Sequence, residues 1–323
     1  MKHGFALPAL LLLGLALAAC SRDLPTATNS PTTAAERVAT SESAKHSDAR
    51  VFTGAGDINA SVNAFRDALG TLNPNLPGSV GSGRREINWD AVPAANTNTN
   101  DFPVDFFNQP APGRARGAVF STPGTGFRVS DNNFTDLNLE FANEFVFFSP
   151  IRTFAAVGSN RMTQTFFVAG SNTPAISTGF GVVFSDVDRE GSASIRLLDA
   201  QGRSLGRYEA PVAPGGLSFV GVVFPTARVA SVEIRSGQAP IAAGARDVSN
   251  RRGDDDDDDA VVGVGLATAS DDDRDHHGAR RRDLVIMDDF IYGEPIAASQ
   301  AVPVAIPMNV AVAGAKVGSP RAH

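Results

Sequence analysis

Between residues 85 and 291 the chain is a series of short runs rich in Val, Ile and Phe, in which apolar and polar side chains alternate. Gly, Pro, Asn and Asp separate the runs. Successive side chains of a strand point to opposite faces, so a period of two commits this region to β-sheet. Residues 194–200 and 204–208 flank Gln201, Gly202 and Arg203 as a hairpin. In 229–235, Ala230, Val232 and Ile234 share one face, and Ser231, Glu233 and Arg235 the other. Residues 217–224 are apolar on both faces, as a strand covered on both sides would be. The last strong run is 284–291, and weaker candidates are 86–89, 118–120, 127–129, 144–148, 164–168 and 179–184. So many short strands predict an all-β fold, a two-layer antiparallel β-sandwich over residues 55–295.

One short N-terminal helix is expected ahead of the sheets. Ile58, Val62, Phe65 and Leu69 fall on one helical stripe, with Asp57 as N-cap and Gly70 where the helix would end. Such a stripe docks on a sheet. The aromatic set is lopsided, 21 Phe against one Trp and two Tyr. Phe brings bulk without a polar handle, which suits a core better than a binding surface. The single cysteine rules out internal disulfides, and a chain of 323 residues can build its core without them.

Lys2 and His3 open the chain, and the apolar run that follows to Ala19 is too short for a comfortable membrane span. Residues 1–19 therefore read as an export signal. Leu17, Ala18, Ala19 and Cys20 resemble the bacterial lipobox. That resemblance implies a lipoprotein: cleavage before Cys20, acylation of the cysteine and anchoring to a lipid bilayer. The alternative is an ordinary signal peptide with a cysteine at this place. Several acyl chains, at about 0.8 kcal/mol per buried methylene, hold a protein stably on a membrane. By the same resemblance, Ser21 rather than Asp implies the outer membrane of a two-membrane cell. Residues 20–54, Ser, Thr, Ala and Pro without apolar periodicity, read as a disordered tether.

Residues 237–283 interrupt the sandwich with an acidic insertion. It holds the 254–259 aspartate run, Asp271, Asp272, Asp273, His276, His277 and Arg280, Arg281, Arg282. Its 12 acids and 7 arginines give −5 of the chain's net −7, so the sandwich itself is close to neutral. Like-charge blocks repel and stay solvated, which predicts a disordered loop. Six consecutive aspartates cannot aim every carboxylate at one ion, and the EF-hand spacing is absent.

The inventory of reactive groups excludes more than any motif proposes. The histidines are His3, His46, His276, His277 and His323, and the lysines Lys2, Lys45 and Lys316, all outside the expected strands. Catalytic triads, Schiff-base lysines and His-ligated zinc lack their parts. No phosphate-cradling loop and no basic face for nucleic acid is evident. Carboxylate chemistry survives. Glycoside hydrolysis needs two acids, and Glu86, Asp90, Asp186, Asp188, Asp199, Glu209, Asp288 and Asp289 are available, although Trp and Tyr for sugar stacking are scarce.

Asp288 and Asp289 stand out. Under strict alternation Asp288 shares a face with Leu284, Ile286 and Phe290, and Asp289 with Val285, Met287 and Ile291. With both faces covered, one carboxylate is buried and needs a partner: a backbone turn, an arginine or a metal ion.

Four segments carry a resemblance: Arg85-Glu86-Ile87-Asn88-Trp89-Asp90, the stretch from Arg116 to Gly124, Gly179-Phe180-Gly181-Val182-Val183-Phe184, and Met287-Asp288-Asp289-Phe290. In this order they resemble exported bacterial β-sandwich proteins of the kind found with surface-sorting signals, and loosely the galactose-binding-like jelly rolls. The resemblance spans roughly residues 55–295. It implies a jelly-roll-like sandwich outside the cytoplasm and carries over no catalytic residue. Jelly-roll carbohydrate-binding modules place a structural calcium ligand in a comparable last strand, which implies Ca2+ at Asp288 or Asp289. The tail, 296–323, departs from the sorted members. Its apolar stretch is broken by Gln300, Pro303, Pro307 and Asn309, and it reads as extended or disordered rather than spanning.

The expected role is a membrane-anchored surface binding or adhesion module for a glycan or envelope polymer, and not an enzyme. A structural envelope protein without a small-molecule ligand is the alternative, and a carboxylate-dependent glycoside hydrolase a more distant one.

Overall fold

A computed structural model of the chain describes residues 48–248 and 281–300, which belong to one compact unit. The 1–19 signal, Cys20, most of the expected tether, the 254–259 run, His276, His277 and tail residues 301–323 lie outside the described residues.

In chain order the elements are β1 (Arg50–Ala55), helix α1 (Asn59–Leu69), β2 (Arg84–Ile87), β3 (Ala118–Ser121), β4 (Gly126–Ser130) and β5 (Thr153–Val157). They continue with β6 (Arg161–Phe166), β7 (Ala175–Ile176), β8 (Gly179–Val187), β9 (Ser194–Leu198) and β10 (Ser204–Glu209). The last are β11 (Ala213–Val223), β12 (Ser231–Arg235), β13 (Ile286–Gly293) and β14 (Ile296–Ala297). A seven-stranded sheet runs β1-β11-β8-β13-β5-β4, with β2 also paired to β13. A five-stranded sheet runs β10-β9-β12-β6-β3, and β14 pairs with β7. The chain changes sheet at β2/β3, β3/β4, β5/β6, β8/β9, β10/β11, β11/β12 and β12/β13, the repeated crossing of a two-layer sandwich. The expected two-layer antiparallel fold with one short helix is what forms.

Between the layers lies an aromatic core centred on Trp89, whose ring stacks on Phe154 at 3.9 Å and is edged by Phe102, Phe107 and Phe290. Its indole N–H donates to the Asp288 carbonyl at 2.8 Å, which gives this buried polar handle a partner. Here two resemblance segments meet, because β2 pairs with β13 with Ile87 opposite Phe290 and Arg85 opposite Tyr292.

The outward face of the seven-stranded sheet is covered too. Ile58, which stands at the N-cap in place of the expected Asp57, and Val62, Phe65 and Leu69 of α1 pack on Phe52, Val183, Phe219 and Ile291. Asp57 accepts from the Asn59 backbone N–H at 3.1 Å, and Gly70 ends the helix at a φ of 96°. The cross-strand pair Gly181 and Gly221 forms the socket for the Phe65 ring, since a Cβ on either would stand 2.8 Å from it. Phe134, Phe141 and Phe145 cover the other end, over Ala155, Leu284 and Ile286.

Three boundaries differ from expectation. The tether was expected to run to residue 54, but Arg50 already enters β1 at the sheet edge; with Phe52 its one fully buried side chain, the strand carries little apolar signal. Residues 144–148 are not a strand but part of the cover over the sheet. Two of their backbone donors go to side chains, Val146 N–H to Ser185 Oγ and Phe148 N–H to Asp288 Oδ2, both at 2.8 Å. The acidic insertion is ordered at both ends: Ile241 packs in the outer cluster, and Asp247 and Asp283 are fully buried rather than solvated.

Candidate functional site

The sequence-predicted pair comes first. Register along β13 places Met287 opposite Phe184 but Phe290 opposite Val182, so the strand carries one extra residue between them. This bulge breaks the alternation. Val285, Met287, Phe290 and Tyr292 all face the inner core, while Ile286 and Ile291 face outward. Asp288 and Asp289 therefore share the outward side instead of taking opposite faces. Both are buried, and the Ser149 hydroxyl bridges them, 3.1 Å from Asp288 Oδ1 and 2.8 Å from Asp289 Oδ1. Arg66 of α1 reaches Asp289 at 3.4 Å and is held by Glu86 at 2.8 Å. Burial, with Asp289 alongside, raises the Asp288 carboxyl well above its usual range. Burial likewise pushes Asp289 up to about 6, against the lowering effect of Ser149. A backbone donor, a hydroxyl and an arginine thus serve the pair, two of the three kinds of partner expected for it.

A larger carboxylate group lies elsewhere on the outward side of the same sheet. Oxygens of Glu144, Asp186 and Asp247 stand within 4.8 Å of one another, and so do those of Asp188, Asp247 and Asp283. Asp186 lies near the end of β8 at a φ of 67°, opposite a bulge in β11 whose Gly215 N–H donates to its Oδ1 at 2.7 Å. Asp247 and Asp283 come from the two ends of the acidic insertion, and Asp247 Oδ1 accepts from the Leu284 N–H at 2.6 Å. Asp186 Oδ2, both oxygens of Asp188 and Asp283 Oδ1 are buried without a hydrogen-bond donor. Burial and neighbouring carboxylates push Asp186 up to about 9 and Asp188 to about 7, and burial raises Asp283. Of the acids considered for hydrolysis, Asp186 and Asp188 are thus brought together, but Asp186 is fully buried, closed to a sugar ring.

The third place is open. On the outward face of the five-stranded sheet lies a groove of about 410 Å3 lined by Arg161, Arg196, Arg207, Arg235, Thr163 and Glu233. Strand register sets the rows: Arg207, Arg196, Glu233 and Thr163 lie side by side on β10, β9, β12 and β6. Arg235 and Arg161 form the next row with Ser194 and Glu209, and Glu209 stands 3.8 Å from Arg207. Glu233 pairs with Arg196 at 3.2 Å, and both side chains are 46% exposed. The near-neutral charge of the sandwich concealed this locally basic face. Strand alternation points Glu233 and Arg235 outward, but the meeting of four arginines needs the pairing of four strands.

No family model and no curated protein matches the chain. Among solved structures it has a slight likeness to the enzymatically active domain of tailspike protein 4 of bacteriophage CBA120. Identity is 19%, over 43% of this chain and 20% of that one, with a TM-score of 0.15. The chain thus spans about a fifth of the tailspike structure's length, and a likeness of this size carries no inference.

Proposed function

We propose that the chain is a lipid-anchored, extracytoplasmic binding module that takes an anionic polymer, such as an acidic glycan of the cell envelope, along the arginine-lined groove of its five-stranded sheet. The observation that carries this reading is the charge of the groove: four arginines, of which Arg196 and Arg207 pair with Glu233 and Glu209, on strands whose positions the sheet fixes. Arginine presents a planar fork of donors that matches a carboxylate or sulfate. A groove open at the surface accepts a chain rather than enclosing a small molecule. Anchoring through Cys20 is supported by the lipobox-like sequence, and among the described residues no helix is long and apolar enough to cross a membrane. A purely structural envelope protein has no use for such a groove.

Affinity electrophoresis of the detergent-solubilised full chain through polygalacturonate and through neutral dextran tests the groove. Retardation by the acidic polymer alone, weakened by salt and by the double substitution Arg196→Ala with Arg235→Ala, is expected. Equal mobility in both gels would remove the reading. For the anchor, Cys20→Ser should move the protein from the membrane to the soluble fraction.

A further inference from the structure

The carboxylate group at the outward end of the seven-stranded sheet has a composition that protein donors alone do not satisfy. Glu144 lies in the covering segment, Asp186 and Asp188 at the end of β8, and Asp247 and Asp283 at the base of the insertion. Glu144, Asp186, Asp247 and Asp283 are buried. Asp186 and Asp283 each belong to one of the two three-oxygen groups, and each keeps a buried oxygen without a donor. A carboxylate oxygen that meets another carboxylate gains a partner only if a proton or a cation lies between them. Burying such charges uncompensated is among the costliest arrangements in a protein.

We propose that these five carboxylates form a calcium site, in which Asp247 is shared between the Glu144–Asp186 side and the Asp188–Asp283 side. The donor set is oxygen only, which selects a hard cation. Two oxygens on one calcium ion stand no more than about 5 Å apart, twice the usual ligand distance, and both groups meet that condition at 4.8 Å. Ligands drawn from separate loops and a strand end suit the irregular shell of calcium better than the strict octahedron of magnesium. The ion would join three covering segments, around Glu144, Asp247 and Asp283, to the sheet. This inference stands apart from the arginine groove on the other sheet, and either one survives loss of the other.

Calorimetric titration of the chelator-stripped full chain with CaCl2, paired with thermal unfolding, decides it. Saturable binding of one or two ions per chain and a higher unfolding temperature with calcium are expected. Asp247→Asn should weaken binding by more than about tenfold, the low end of the loss seen even for groups one step removed from a metal. Asp186→Asn relieves a crowded carboxylate, so in chelator this variant should unfold at a higher temperature than the wild type, and with calcium at a lower one. That reversal separates lost ligation from failed folding. Replacing the 254–259 aspartates with asparagine should leave the saturable binding intact. The assignment is overturned if calcium leaves wild-type unfolding unchanged, or if the 254–259 variant abolishes binding. It is overturned equally if Asp288→Asn abolishes binding while Asp247→Asn does not, or if magnesium binds as tightly as calcium.

Discussion

The outward faces of the two sheets are built from the same alternating pattern and meet opposite conditions. On the five-stranded sheet the outward Arg196, Arg207, Glu209 and Glu233 are exposed, and their charges pair loosely, as Arg196 does with Glu233. On the seven-stranded sheet, α1 and the 134–145 cover exclude water, and β8 and β13 are buried along their whole length. Polar groups there must be served from within the protein. Asp288 and Asp289 are served by Ser149, Phe148 N–H and Arg66. Covering a face, rather than its sequence alternation, is what turns a charge from a surface ornament into a structural commitment.

The widest test sets the buried ion pair against the exposed one. Arg85 makes a two-point contact with Glu294 at 2.7 and 2.8 Å and also donates to the carbonyls of Pro74, Gly78 and Ala115. Its side chain is 0% exposed and that of Glu294 is 1%. Arg85→Met leaves a buried carboxylate and several carbonyls without donors, and should cost about 3–5 kcal/mol in urea unfolding. A loss below about 1 kcal/mol, the exposed-pair value, would show that water reaches the pair.

The aspartate pair tests the same point through pH. Asp289 is raised from 3.8 to about 6 by burial. A carboxyl raised in the folded state holds its proton more tightly there than in the unfolded chain. Its contribution is therefore complete below pH 3.8 and is lost as the pH rises through about 6. The loss is on the order of 3 kcal/mol. Unfolding measured from pH 4 upward should show wild-type stability falling relative to Asp289→Asn, which lacks this proton. Parallel curves would mean that Arg66 already neutralises the pair.

Gly221→Ala sharpens the comparison at the helix. A Cβ there stands 2.8 Å from two Phe65 ring atoms and 2.9 Å from Phe219, so the helix must lift from the sheet. The cost should be about 1–3 kcal/mol, read from the urea midpoint. Gly202, in the exposed β9–β10 turn, has open space where its Cβ would be, so any cost of Ala there comes from its φ of 73° alone.

The elements that sequence alone revealed are those governed by local period. The α1 stripe, β12 and the two-sided burial of β11 follow from spacing, because a side chain's direction depends on its own strand or helix. The bulge at Asp288 and Asp289 was invisible for the opposite reason: one extra residue is defined only against the partner strand, and it reverses which face the next side chain takes. The carboxylate group was half visible. Asp186 and Asp188 stand at alternate positions at a strand end, but Glu144, Asp247 and Asp283 join them only through the topology. Buried acids at the base of an insertion also look, in sequence, like part of its solvated charge.

The smallest effect on stability carries the most about function. Arg196 and Glu233 are each 46% exposed, and exposed pairs contribute at most about 1 kcal/mol, reduced further by salt. Arg196→Ala should therefore shift the urea midpoint very little, while it removes one of four positive charges from the groove and lowers retention by polygalacturonate. A residue that costs binding but not stability belongs to the surface the protein presents to its ligand. If Arg196→Ala instead lowers stability as much as Gly221→Ala and leaves retention unchanged, the five-stranded face serves the fold. The division between a committed acidic side and a presented basic side then fails.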